Sequence, residues 1–272
     1  MQHFSSSPKA MITVLWSNKE LIKALVKRDI LGRYRGSILG ILWSFFNPLF
    51  MLAVYTFVFS EVFNARWGAG TDSKAEFALI LFAGMLMFNL FSETINQAPN
   101  IILSNANYVK KVVFPLEILP VVNLLSSLFN TGISLIVWIL AYTILIGIPH
   151  ASLLLIPFIL IPYVLFILGL GWIISSLGVY LRDVSQIIGV LTTVLMFMSG
   201  VFYPISSLPE HYRSILYLNP LVPFIEQARD ILYFGKSPDL LMNGITFVIS
   251  ILIAWVGFAW FQNTRKGFSD VI

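Results

Sequence analysis

Residues 38–59 form a run of twenty-two residues without one charged side chain. As a helix rising about 1.5 Å per residue the run is roughly 33 Å long, enough to cross a hydrocarbon core of about 30 Å. Further long apolar runs follow down to the C-terminus, which rules out an ordinary soluble fold. With 58% hydrophobic and only 11% charged residues, the chain lacks the surface charge that a water-facing domain of this length carries. The class implied is an all-α membrane protein forming one domain over 1–272.

Six transmembrane helices are predicted, over 38–59, 77–97, 117–146, 153–179, 184–202 and 240–261. The third is long enough to tilt or to project from the membrane. Ahead of the first, residues 11–33 read as an amphipathic interface helix. Leu15, Ile22, Leu25 and Val26 lie on one side, and Lys19, Lys23 and Lys27 recur every four residues on another. Such a helix lies in the interface plane with its apolar face down, and seven Lys and Arg before the first span argue against a cleavable signal. Gly32, Gly36 and Gly40 follow, interleaved with Arg33 and Arg35, a pattern that suits a tight turn better than a dimer seam in the membrane.

Lys and Arg distribution sets orientation. The N-terminal segment with Lys110, Lys111, Arg182, Arg265 and Lys266 holds twelve cations; the other side holds five, Arg66, Lys74, Arg213, Arg229 and Lys236. The expectation is both termini in the cytoplasm. Between the fifth and sixth spans, the proline- and aromatic-rich residues 203–239 are apolar enough to dip back into the membrane. Non-helical backbone survives at that depth only when packed in protein or facing water.

No catalytic constellation emerges. There are no cysteines for disulfides or thiolate metal sites, and the three histidines are scattered. Gly235-Lys236-Ser237 imitates the end of a phosphate-binding loop, but Asp230 stands where the motif needs glycine. No mid-membrane aspartate pair marks a proton relay, although an ionic group at the centre costs about 2.5–3.5 kcal/mol on insertion scales and coupled carriers show it plainly.

Polar and aromatic stripes are the remaining signals. Asn89, Glu93, Asn96 and Asn100 share one helix face, readable as the mouth of a pathway or as a helix end entering water. Asn123, Ser127, Asn130 and Ser134 repeat the spacing, as side chains that knit helices together do. Trp43, Phe46, Phe50 and Phe57 project within roughly 60° of one another along about 21 Å of helix. They read either as platforms for the apolar faces of sugars or as lipid- and helix-facing aromatics. Pro48, after Asn47, should kink this span. The fifth span carries Gly189, Thr193, Met196, Gly200 and Tyr203, a close-packing surface or a smooth wall.

The segment Asn105-Ala106-Asn107-Tyr108-Val109-Lys110-Lys111-Val112-Val113-Phe114-Pro115, with Leu119-Pro120 after it, resembles the N-x-x-x-x-K-K-V-x-F-P…L-P segment of ABC-2 permease subunits that export cell-surface polysaccharides. Lys27 to Trp43, Tyr180-Leu181-Arg182-Asp183-Val184 and Leu218-Asn219-Pro220-Leu221…Arg229 are similar to further family segments. Together they span nearly the whole chain. The resemblance implies a homodimer of six-helix subunits in the bacterial inner membrane, carried by two separate ATPase subunits that use ATP and Mg. It implies no cofactor and no nucleic acid for this chain, and re-entrant helices between the fifth and sixth spans. Wzm-like members export lipid-linked O-antigen; relatives export capsular polysaccharide or teichoic acid, and drug or lipid exporters are the alternative. On this resemblance the substrate pathway is expected at Trp43, Phe46, Phe50, Phe57, Met196 and Tyr203. ATPase coupling is expected at Asn105, Tyr108, Lys110, Lys111, Arg182 and Asp183, and an outer gate at Tyr203, Pro204, Asn219 and Pro220. A membrane scaffold that transports nothing is the different class kept open.

Overall fold

A computed structural model describes residues 5–58, 67, 74–110 and 114–272, and every ordered element among them is helical. Ser7 caps the first helix, α1 (Pro8–Ser17), its hydroxyl accepting from the Ala10 N–H at 3.1 Å. The amphipathic stretch expected as one helix over 11–33 is broken at Asn18, whose side chain donates back to the Val14 carbonyl at 2.8 Å, and resumes as α2 (Lys19–Arg33). Ile22 and Leu25 are buried, while Lys19, Lys23 and Lys27 are exposed, so the apolar face is taken up at least in part by protein. Gly36 and Gly40 both adopt positive φ, at 85° and 53°, and turn the chain into α3 (Trp43–Tyr55), which contains Pro48.

Among the described residues five helical stretches are long and apolar enough to cross a membrane: Gly40–Val58, Ala75–Asn100, Ile118–Leu145, Ala151–Tyr180 and Leu240–Val271. Within the second, α4 (Lys74–Gln97) is the centre of the fold. From Phe77 to Phe91 every residue but Asn89 is buried. Around it pack α3, α6 (Ile118–Leu145), α7 (Ile156–Tyr180) and α8 (Val184–Met198). Lipid supplies no hydrophobic drive between helices, so close packing and interhelical hydrogen bonds must hold them. Accordingly Trp138 donates to the Leu79 carbonyl at 2.8 Å, Tyr163 to Met87 at 2.9 Å and Asn123 to Thr94 at 2.9 Å. A close crossing joins α7 to α11 (Leu240–Thr264): a Cβ on Gly257 would stand 2.1 Å from the Gly169 carbonyl oxygen. Backbone touches backbone there, and no larger residue fits.

The fifth expected span differs. α8 has fifteen residues, about 22 Å of helix, short of the roughly 30 Å core. Gly200 (φ 63°) ends it, and a Cβ there would meet the Ile205 side chain at 2.8 Å. The following residues form α9 (Glu210–Leu216) and α10 (Val222–Leu232); the latter packs against α4 and α7 with Phe224, Ile225 and Ile231 buried. Two short α-helices complete the set among the described residues, α5 (Ala106–Lys110) and α12 (Phe268–Val271).

Candidate functional site

The aromatic face of α3 stands largely open. Phe50 is 56% and Phe57 62% exposed, Trp43 is exposed and Phe46 half-buried. Phe46 and Phe50 stack at 6.2 Å and 30°, with Phe45 edge-on to Phe46 at 6.0 Å. Phe57 also rims an apolar groove of 630 Å³ between α3 and α6. On α8, Met196 is half-buried against the core, and the Tyr203 hydroxyl donates to the Phe197 carbonyl at 2.7 Å, folding back onto the helix end. α3 and α8 each lean on α4 rather than on each other, so one chain does not bring the two faces together. Gly189 has open space around it, whereas the packing seams lie at Gly169 with Gly257 and at Gly178, whose Cβ would stand 2.1 Å from the Pro99 carbonyl oxygen.

Beneath the aromatic face lies a 310 Å³ cavity framed by α3, α4 and α6, into which Tyr34, Asn47, Asn89, Glu93, Asn130 and Ser134 look. Arg33 pairs with Glu93 and, at 3.2 Å, with Asp29. Burial works against the guanidinium's charge, but Glu93 and Asp29 together outweigh it and hold its pKa above the ordinary value. Asn130 donates to the same Glu93 oxygen at 2.9 Å. Of the α4 stripe, Asn96 accepts from Thr192 at 3.0 Å and Asn100 from Ser185 at 3.3 Å, both on α8, while Asn89 is left facing the cavity.

The residues expected to couple to an ATPase divide in two. Tyr108 on α5 accepts a 2.6 Å hydrogen bond from Arg28 of α2, and its ring lies flat on Phe114 at 4.3 Å. Lys110 donates to the Ile272 carbonyl at 2.5 Å, and Asn105 to Ile101 at 2.8 Å. α5 is thus tied to α2 and to the segment after α11. Lys111 lies outside the described residues. Arg182 and Asp183 form a separate exposed joint between α7 and α8.

At the opposite end Asn219 is a staple. Its amide donates to Ser199 at 2.8 Å and to the Met198 carbonyl at 3.1 Å, while its oxygen accepts from the Leu221 N–H at 3.0 Å. Pro204 and Pro220 flank the turns it holds. Arg229, counted by its position among loop cations, is 2% exposed. It donates to the Val201 carbonyl at 2.6 Å and the Ile80 carbonyl at 3.3 Å, pairs with Glu226 at 3.3 Å and stands 4.4 Å over the Trp67 ring. Sequence reasoning also missed the pair of Arg265 with buried Glu117, 2.5 Å apart between the end of α11 and the start of α6. The one available signal was Glu117, an anion set between Leu116 and Ile118.

Residues 20–233 match the family described as ABC-2 type transporter. The chain is 28% identical over 264 residues to the O-antigen export system permease protein RfbA of Myxococcus xanthus, spanning 96% of this chain and 99% of that protein. It is 26% identical over 255 residues to the protein of the same name from Klebsiella pneumoniae, covering 93% and 95%. Against the polysialic acid transport protein KpsM of Escherichia coli it is 23% identical over 253 residues, 91% and 95% of the two chains. A helical assembly with five membrane-length stretches, matched over most of its length to transporter permeases, is a multi-pass membrane protein that belongs to the ABC-2 type transporter family.

Proposed function

We propose that the chain is the conduit-forming subunit of an ATP-driven exporter that moves lipid-linked polysaccharide of the O-antigen type across the inner membrane. It works as a homodimer with two ATPase subunits on the cytoplasmic side. The observation that carries this reading is the end-to-end similarity to O-antigen export permeases, 96% of this chain against 99% of the relative. Capsular polysaccharide is the second reading, favoured by the similarity to the polysialic acid transport protein over 91% of the chain.

In this reading α8 is a shortened fifth crossing, making six in all, whose outer end is closed by α9 and α10 as re-entrant elements, leaving both termini in the cytoplasm. Supporting it are the twelve-to-five bias of cations and the Asn219 staple that binds the end of α8 to the start of α10. Closure of the ATPase pair on ATP presses on Asn105, Tyr108, Lys110 and Lys111, and on the Arg182–Asp183 joint. The push shifts α3 and α8 and opens a path between two copies. Sugars then slide over Trp43, Phe46, Phe50 and Phe57 past Met196, with Tyr203, Pro204, Asn219 and Pro220 forming the outer gate. Exposed rings suit this task because they offer apolar area and hold no fixed register.

Surface polysaccharide should disappear when the gene is deleted and return with the wild-type chain. The Phe46→Ala/Phe50→Ala variant should export less while still co-purifying with its ATPase. Undiminished export by that variant, at equal membrane level, removes the sugar-platform role.

A further inference from the structure

We propose that the cavity between α3, α4 and α6 is a binding site for one neutral sugar ring of the cargo, read by Asn47 and Asn89. This inference rests on the polysaccharide reading above and adds a specific site to its sliding aromatic face.

Depth is the first argument. Asn47 stands seven residues inside the apolar stretch that begins at Gly40, about 10 Å of helix, and Asn89 eleven residues before the end of Ala75–Asn100, about 16 Å. Both side chains are exposed on the chain, and neither carboxamide has a hydrogen-bond partner among the described residues. A carboxamide set against hydrocarbon without a partner costs on the order of several kcal/mol. The pair therefore faces water or something that hydrogen-bonds as water does. α4 makes the point alone: over Phe77 to Phe91 the single residue it leaves uncovered is this asparagine.

Charge selects the ligand. Glu93 is already paired with Arg33 and hydrogen-bonded by Asn130, so a phosphate meets a carboxylate and no free cation in the cavity, and a cation meets a carboxylate already engaged. What remains on offer is uncharged. Each carboxamide supplies two donors and two lone pairs, the complement of neighbouring hydroxyls on a pyranose. Pro48, Met51 and Phe82 give the cavity an apolar side for the C–H face of such a ring. At 310 Å³ the space is at the lower end of the roughly 300–1,000 Å³ typical of small-molecule pockets, right for a sugar ring and too small for a polymer segment.

The test uses the whole exporter in cells that make its polysaccharide. A benzophenone amino acid is placed at Asn89 and, as control, at the apolar surface position Ile144, 81% exposed. After irradiation the purified chain is probed by periodate oxidation and hydrazide labelling, which detects sugar. A sugar-bearing adduct is expected at 89 and none at 144. In parallel, Asn47→Leu and Asn89→Leu should each slow the appearance of surface polysaccharide about two- to tenfold, the loss of a hydrogen bond or two, with Asn89→Gln recovering most of the rate. Adducts at 89 holding only phospholipid or a second copy of the chain overturn the proposal, as does full-rate export by the Asn47→Leu/Asn89→Leu double variant. If gene deletion leaves surface polysaccharide unchanged, the polysaccharide reading itself fails. If deletion abolishes it while the double variant exports normally, only this site is lost.

Discussion

Arg229 and Gly84 form a test of the packing around α10 that can be worked through in advance. A Cβ on Gly84 would lie 2.4 Å from Arg229 Nη2 and 2.9 Å from its Cζ. A guanidinium is the end of a flexible side chain, but this one is held by two carbonyls, Glu226 and the Trp67 ring. To reach ordinary contact near 3.4 Å, Nη2 must retreat by about 1 Å, and a shift of that size taken along its 2.6 Å bond to Val201 opens it to about 3.6 Å, beyond hydrogen-bond range. Losing a charge-assisted bond costs about 1.5–3 kcal/mol, while alanine in place of glycine returns up to about 1 kcal/mol of helix propensity. Gly84→Ala should therefore destabilise by about 0.5–2 kcal/mol. In an Arg229→Met background the obstacle is gone, and the same substitution should become neutral or stabilising. Thermal unfolding of the four detergent-purified proteins, followed by tryptophan fluorescence, reads the sign change. Equal loss in both backgrounds, or a gain from Gly84→Ala alone, refutes the reasoning.

At the α7–α11 crossing, Gly257→Ala drives a Cβ into the Gly169 carbonyl and should exceed the usual overpacking cost of about 1–3 kcal/mol, because backbone on both sides cannot yield. Gly189→Ala, with nothing within 4 Å, should leave the size-exclusion profile of the solubilised protein unchanged. Tyr108→Ala releases both the Arg28 hydrogen bond and the Phe114 stack, and Lys110→Glu removes the Ile272 contact. Each should let ATP hydrolysis by the purified complex continue while export falls; normal coupling in both would return Lys110 to the role of a topology anchor.

Hydropathy made the long helices legible because burial in lipid is decided residue by residue along one segment. Three expected crossings coincide closely with membrane-length stretches, the last begins as expected at 240 but its stretch runs on to Val271, and the described part of the first follows its expectation. The Gly36 and Gly40 turn was readable for a similar reason, since positive φ is a local demand. Asn18, which splits the interface segment, was not, because an asparagine in a helical pattern becomes a break only through its own side chain bonding Val14. The short α8 was hidden by apolar residues that continue past Gly200 into a turn. Partners escaped altogether: Arg28 for Tyr108, Glu93 for Arg33 and Glu117 for Arg265 lie 80, 60 and 148 positions apart, and no spacing rule connects them. The Asn123–Asn130 stripe was read as interhelical glue, and those two side chains do bond to α4.

The enclosure of α4 has a geometric corollary. Where another fold keeps an axial bore, this subunit keeps a helix, walled in from Phe77 to Phe91 except at one asparagine. A long chain threading past it has to travel along the periphery, in a trough of which this polypeptide supplies one bank and a neighbouring surface the other.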